Sequence, residues 1–457
     1  MTNRSFIWMV IGIAFSTIPW GCGSKDFIRI RERQTEQWID RMEARSLELL
    51  PPGQSMTLDQ CVDIALLHHW NVKRAEMETR LAKLDRRVAF SVFLPAVNAE
   101  WTGMSMNKAP TVDFLGMSLQ MGDRNVTEAT LQAQMPVFSP QAWFAYSARR
   151  KSEDISLFVL RRTRQLIALR VMVLYYSCLS LERLHEGLLQ SAKQAEILLS
   201  EVKALYKEGL ATPSEMEATK TLLLSRQYNL SENERDRRRT QAELLWAMGL
   251  SPNSEILLEA SKISELPEGE VDDWILEALL NRPEMAIADR SVEIRKDQVK
   301  MAIAGFLPGL GVGGAWNHTS DSFSKYSSVW IGGVSAVLTV FDGFANVAAY
   351  QAARQRHQES FVQREEASVT IMLEVLQSHW NVMKAMDVVV LTRQVYASES
   401  LRIKEVEAQY KEGWVRTSDL IEAIAQRDNA VAQMAVAEFQ AQIATAILWD
   451  VMGKGRE

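Results

Sequence analysis

The spacing of apolar residues along the chain changes period, and the same change occurs again in the second half. From Thr57 onward Leu58, Val62, Ala65, Leu66 and His69 recur at three- and four-residue steps, which places them on one helix face. Thr57 and Gln60 have the form of a capping box and Pro95 closes the stretch, so the pattern predicts a helix from 57 to about 92. Between Pro95 and Phe138 the period falls to two: Ala129, Leu131, Ala133, Met135 and Val137 alternate with Glu128, Thr130, Gln132 and Gln134. The region is long enough for two strands of about ten residues joined by a loop. A long helical stretch then runs from Phe138 to about Glu208. In it Leu181, Leu184, Leu188, Ser191, Ala195, Leu198, Val202 and Leu205 step by three and four in turn, the seam of a coiled coil. Gly209 breaks the helix, and a partner predicted from Ser214 to Met248 runs back beside it.

The second half restates this order. Ala65-Leu66 returns as Ala278-Leu279 and Phe93-Leu94-Pro95 as Phe306-Leu307-Pro308, both 213 positions on. Val137-Phe138 returns as Val340-Phe341, Tyr206-Lys207-Glu208-Gly209 as Tyr410-Lys411-Glu412-Gly413, and Met248-Gly249 as Met452-Gly453. Between Pro308 and Phe341, Val334, Ala336, Leu338 and Val340 alternate with Gly333, Ser335 and Thr339, Val337 being the exception. Val369, Leu373, Leu376, Trp380 and Met383 give a second seam, and Ser418 to Met452 a second returning helix. A period near 200 residues is too long for a solenoid, so the chain reads as a duplicated unit. Each half is ordered helix, two strands, long helix, tight turn, returning helix. The strand region of the first half is the longer by ten residues.

Four strands are too few to close a barrel within one chain. Beyond the N-terminus no run of 18 apolar residues reads as a transmembrane helix. A mature chain that crosses a membrane therefore does so as a closed β-barrel assembled from several copies. Trp101, Trp316, Tyr326 and Trp330 lie in or near the predicted strands, where aromatic side chains suit a membrane interface.

Composition narrows the function. Of 457 residues, 51 are basic and 57 acidic, a net charge of −6 that leaves no electrostatic footprint for nucleic acid. Cys22, Cys61 and Cys178 have neither disulfide nor zinc spacing, and the latter two read as small core residues. At the N-terminus Arg4 precedes an apolar stretch from Phe6 to Ile18 that stops at Pro19-Trp20-Gly21-Cys22. This resembles a bacterial lipoprotein signal with Cys22 as acceptor, although Pro19 stands where Leu is usual. The alternative is an ordinary secretory signal in which Cys22 has no role. The expected divisions are a signal peptide 1–21, a lipid-anchored arm 22–56, a first repeat 57–250, a linker 251–270 and a second repeat 271–453.

Nothing indicates an enzyme, a cofactor or a metal site. None of His68, His69, His185, His318, His357 and His379 has triad or metal-ligand spacing, and His68-His69 are adjacent helix positions that face apart. Gly309, Gly311 and Gly313 enter a strand rather than a helix and form no phosphate loop. Met104, Met106, Met117, Met121 and Met135 cluster in the first strand region. Thioethers there are either packing groups or a soft-metal lining.

The landmarks together, over Thr57 to Gly453, resemble the TolC-type outer-membrane efflux proteins, and Cys22 resembles the acceptor of their lipoprotein branch. The resemblance implies a mainly α fold with a β-barrel portion: a homotrimer with a twelve-stranded barrel in the outer membrane and a helical barrel crossing the periplasm. It implies a passive exit duct whose partners are a periplasmic adaptor and an inner-membrane pump. At the helix tips the family places acids at positions matching Glu215, Asp419 and Glu422, with a closing Tyr at Tyr410. The family's Arg position is held by Val415, with Arg416 beside it. Asp419 and Glu422 are three apart on one helix face, and threefold symmetry turns them into two acidic rings that favour cations. The alternative is that these acids only complement helix dipoles. The competing function is a non-transporting, periplasm-spanning structural lipoprotein.

Overall fold

The computed structural model describes residues 24–51, 53–114, 116–259, 267 and 269–456. The expected signal segment, Cys22 and part of the 251–270 linker lie outside the described residues. Helix α1 (Ser24–Leu49) leads to strand β1 (Ser55–Met56), α2 (Leu58–His68) and α3 (Trp70–Ser91). Strand β2 (Ala96–Ser105), a small hairpin of β3 (Thr111–Phe114) and β4 (Met117–Gln120), and β5 (Asn125–Phe138) follow. Helices α4 (Pro140–Lys207) and α5 (Pro213–Ala247) complete the first half, and β6 (Leu257–Leu258) lies beyond them. The second half holds α6 (Val271–Asn281), α7 (Pro283–Ala304), β7 (Gly309–Thr319), β8 (Ser328–Val337), α8 (Ala345–Lys411) and α9 (Thr417–Trp449) with a terminal π turn at Asp450–Lys454.

The helix expected from 57 to 92 is two helices. Its start is as read: Thr57 N donates to Gln60 Oε1 (3.0 Å) and Gln60 N to Thr57 Oγ1 (3.3 Å). His69 then leaves helical geometry at φ −65°, ψ 136°, and its Nδ1 caps α3 by accepting from Asn71 N at 3.1 Å. Burial, together with the charge of Arg170, pushes its pKa down, which keeps the ring neutral and the accepting lone pair free. The two histidines are thus not adjacent helical positions. The same break recurs 213 residues later at Arg282, also extended (φ −70°, ψ 131°), where Pro283 opens α7.

The described residues form two compact units. One combines residues up to His68 with Ser177–Lys262. In it α5 runs antiparallel to the end of α4, linked by Asn233 Nδ2 to Leu181 O (3.3 Å) and Arg237 to Glu182 (3.1 Å). Ser191, Ala195, Leu198 and Val202 of the expected seam are buried there. Burial also pushes the thiols of Cys61 and Cys178 up to about 12. Strands β1 and β6 form a two-residue parallel bridge, and Ser251 N donates to Ser46 Oγ at 2.9 Å.

The other unit combines His69–Tyr176 with Ile263–Glu457 and contains the sheet. Its strands are antiparallel in the order β2-β5-β7-β8. The β5–β7 register shifts between Pro136 and Phe138, beside a proline with no N–H for the ladder. Strand β8 ends at Val337, so the alternation read up to Val340 outlasts the strand. Alongside run α7, α8 and α9. Here the seam differs from the expected one. Ile371, Val375, Ser378, Val382, Val389 and Thr392 are buried, whereas Val369 (64%), Leu373 (48%), Trp380 (59%) and Met383 (50%) are exposed. Helix α8 has apolar residues on two faces, and the described residues of its own unit cover only one.

A chain of charge, buried at Arg282 and Asp450 and half-buried at Glu284, ties the unit together. Arg162 reaches Asp450 (3.0 Å) and Glu284 (2.7 Å), and Arg282 joins Glu284 (2.8 Å) to Glu374. Two helical segments, Pro140–Lys207 and Thr417–Lys454, each contain an 18-residue stretch apolar enough to cross a bilayer. No such run is apparent from the sequence alone, and both helices carry buried core residues: Ile167, Ala168, Val171, Tyr175 and Tyr176 in the first, Ala435, Ala437, Ala441 and Ala446 in the second.

Candidate functional site

Two regions can act on a solute: the sheet and the helix tips. In an antiparallel ladder, directly paired residues share a face. The register pairs Ala129 with Trp101 and His318, Leu131 with Ala99 and Trp316, and Trp316 with Trp330. One face therefore carries Val97, Ala99, Trp101, Leu131, Ala133, Met135, Val312, Trp316, Trp330 and Val334. The three tryptophans lie toward the loop ends of their strands. Trp316 and Trp330 are in contact at 6.3 Å between ring centroids, and Trp101 is 61% exposed. Toward the helix ends, Phe138–Trp143 and Phe341–Phe344 form two further aromatic pairs. Tyr326 stands outside the strands, in the β7–β8 loop.

The opposite face is polar. It carries Asn98, Glu100 and Thr102 from β2, Glu128, Thr130, Gln132 and Gln134 from β5, and Asn317 from β7. Toward β8 it becomes small and apolar, with Gly311, Gly313 and Ala315 paired to Ser335, Gly333 and Ile331. Among the described residues, strand β2 and strand β8 each have one unpaired edge.

At the tips the two halves are built alike. Gly209 and Gly413 both have φ +77°, the left-handed geometry that ends a helix at little cost only for glycine. Gly209 N donates to Tyr206 O and Leu210 N to Leu205 O (2.9 Å); Gly413 N donates to Tyr410 O and Trp414 N to Gln409 O (2.9 Å). These are matching Schellman caps, and they account for the repeated Tyr-Lys-Glu-Gly. They leave Leu210 (72%) and Trp414 (79%) exposed at the apex, two positions that no periodicity or motif marks.

The returning helices begin alike too. Thr212 N donates to Glu215 Oε2 (2.8 Å) and Glu215 N to Thr212 Oγ1 (3.2 Å), a full capping box. Arg416 N donates to Asp419 Oδ2 at 3.0 Å, so Arg416 meets Asp419 through its backbone, and its side chain is exposed. Glu422 is exposed one turn on, and its Oε1 lies 3.9 Å from Arg402 of α8. Asp419 and Glu422 thus share the exposed start of α9, and Asp419 also serves its own helix. The Tyr410 hydroxyl is buried and has no hydrogen-bond partner among the described residues. Among these residues no cluster of His, Cys, Asp or Glu could hold a metal ion.

Comparison with known proteins agrees with this geometry. The family model described as "Outer membrane efflux protein" matches residues 61–250 and 274–454. The pyoverdine export outer membrane protein OpmQ of Pseudomonas putida is 21% identical over 413 residues, 88% of this chain and 86% of that protein. Among solved structures, the Campylobacter jejuni CmeC outer membrane channel superposes with a TM-score of 0.78 at 16% identity, covering 88% of this chain and 86% of that one. The Vibrio cholerae outer membrane protein VceC gives 0.74 at 17% identity, covering 88% and 97%.

Proposed function

Because the chain belongs to the outer membrane efflux protein family, we propose that its sheet is one third of a membrane barrel and its helix tips are the gate of the duct. The protein is an outer-membrane efflux channel, a passive conduit rather than an enzyme. Membership of that family decides against a purely structural lipoprotein.

One observation carries the barrel reading: a two-faced sheet with both outer edges unpaired. A strand edge in hydrocarbon leaves backbone groups unsatisfied at several kcal/mol each. Pairing β8 of one copy with β2 of the next removes every edge, and three copies make twelve strands. The tryptophan face then meets lipid and the Glu100–Glu128 face meets water. Strands of ten and eleven residues span about 35 Å along their length, or about 25 Å of bilayer when tilted near 45°. The exposed stripe of α8, from Val369 to Met383, is the surface a neighbouring copy covers. At 67 residues α8 is about 100 Å long, enough to cross the periplasm.

In this assembly Asp419 and Glu422 form two acidic rings at the periplasmic constriction. Tyr410, Glu215 and Arg416 are the residues that act in closing the tips, Arg416 being the cation nearest the family's Arg position. Leu210 and Trp414 are the apolar points that an adaptor grips, with an inner-membrane pump beyond it. Cys22 anchors the chain by acylation, and the two repeats, 57–250 and 271–453, are pseudo-equivalent halves of the duct wall. Sedimentation in detergent together with planar-bilayer recording tests the assembly. A trimer that conducts is expected; a stable monomer would overturn it.

A further inference from the structure

Among the described residues the first half has something the second lacks: strands β3 and β4 pair antiparallel within its longer loop. Their register pairs Val112 with Leu119 and Asp113 with Ser118, and Thr111 with Gln120. Residues alternate faces along a strand, so Val112, Met117 and Leu119 share one face, with Thr111, Asp113, Ser118 and Gln120 on the other. The apolar face is bare: Val112 is 53% exposed, Met117 67% and Leu119 49%.

The stem beneath it is held firmly. Met121 N donates to Pro110 O (2.7 Å), adding a rung to the β3–β4 hairpin, and Met106 N to Arg124 O (2.8 Å), extending the β2–β5 ladder outward. Ser322 N donates to Asp123 Oδ2 (2.7 Å) and Asp123 N to Asp321 Oδ1 (3.2 Å). Thr127 N donates to Ser320 Oγ (2.8 Å), and Ser320 N returns a bond to Thr127 O. The loops of the two halves are thereby clasped, and the hairpin is fixed to a rigid rim.

Lipid is a poor occupant for that face. The hairpin lies beyond the tryptophan level, past Lys108, Asp123 and Arg124, where the chain has left hydrocarbon. It grows instead from β2, the edge strand at which the next copy joins. A two-stranded hairpin is marginal in water unless its apolar face is packed. Threefold symmetry brings three such faces to one mouth.

We propose that the β3–β4 hairpins of three copies meet through Val112, Met117 and Leu119 over the outer mouth of the duct and narrow it, opposite the helix tips. This rests on the trimeric reading above. Closure at this end is a property of the hairpin and not of the acidic tips.

The test uses the full-length protein purified as a trimer and carrying one added cysteine. Cys61 and Cys178 are buried and do not compete. Met117→Cys should be joined to a second chain by a short bis-maleimide, whereas Ser118→Cys, on the opposite face, should be joined at least about tenfold more slowly because its side chains diverge. Val112→Ser with Leu119→Ser should raise single-channel conductance. Equal linking at both positions, or none at either in a sample of trimeric size, would overturn the hairpin contact, as would unchanged conductance. A sample that is not trimeric overturns the duct reading and this inference together, so the two failures are told apart by size.

Discussion

Glu215 Oε2 lies 2.8 Å from Thr212 N and Asp419 Oδ2 lies 3.0 Å from Arg416 N, so two acids 204 positions apart make the same cap on the two returning helices. Each carboxylate therefore has a use inside its own chain before any pore is considered. A cap needs an accepting oxygen, while an ion-selective ring needs a net charge. The two roles make different demands on one side chain and can be separated by substitution.

The Schellman caps behind those helices set a first expectation. An added Cβ at Gly413 meets nothing within 4 Å, so the cost of Gly413→Ala is conformational only. At φ +77° it should destabilise the hairpin by about 1 kcal/mol. Hydrogen exchange should quicken at the tip amides, Trp414 among them, and stay unchanged in the β7–β8 ladder. Uniform quickening throughout the chain would contradict a local cap.

Much of this fold is legible in the sequence. The capping box at Thr57, the strand alternation around Ala133, the breaks at Gly209 and Gly413 and the duplication each follow from local residue chemistry. What escapes is what depends on neighbours. Nothing in the spacing of Val369, Leu373, Trp380 and Met383 separates them from Ile371, Val375 and Val382, because both sets are periodic and only packing selects the face. The break at His69 escapes because no proline marks it, although its counterpart precedes Pro283. Of the candidate site, the acids at 215, 419 and 422 are legible through the family resemblance. The capping role of Glu215 and Asp419 needs the geometry of residues 212 and 416, and the apex residues Leu210 and Trp414 stand out only once their exposure is known.

The buried thiols give a second expectation. With burial holding both Cys61 and Cys178 near 12, almost no thiolate is present at neutral pH. Ellman's reagent should leave both unmodified in the native protein and react with both in denaturant. Rapid native labelling of either would show that its helix contacts open.

Acid sensitivity should trace to the Arg162–Glu284–Arg282 chain. Burial pushes the Glu284 carboxyl up, but the hydrogen bond from Arg282 and the charges of Arg162 and Arg282 outweigh it and hold it below its ordinary 4.5. A group depressed in the folded state adds stability that is present above its unfolded value and is lost as pH falls through its folded one. Tm should therefore drop on acidification below about pH 4.5. Glu284→Gln should lower Tm at neutral pH and flatten that acid slope. A variant with the native slope would place the acid sensitivity elsewhere.

The acidic rings can be tested without disturbing the caps. Asp419→Asn keeps an oxygen that can accept from Arg416 N and removes the charge, and Glu422→Gln removes the second charge at an exposed position. The double variant should therefore keep the native Tm. If the six carboxylates of the trimer line the periplasmic constriction, it should also lose cation preference and block by multivalent cations in planar-bilayer recordings. Asp419→Ala removes both acceptor and charge, so it should add a capping loss of about 1 kcal/mol to the same change in selectivity. The comparison isolates the pore role, because only the charge differs between the native protein and the amide variant. Selectivity that stays native in the amide variant while Asp419→Ala loses stability would mean that Asp419 serves only its own helix and that the constriction is lined by other residues.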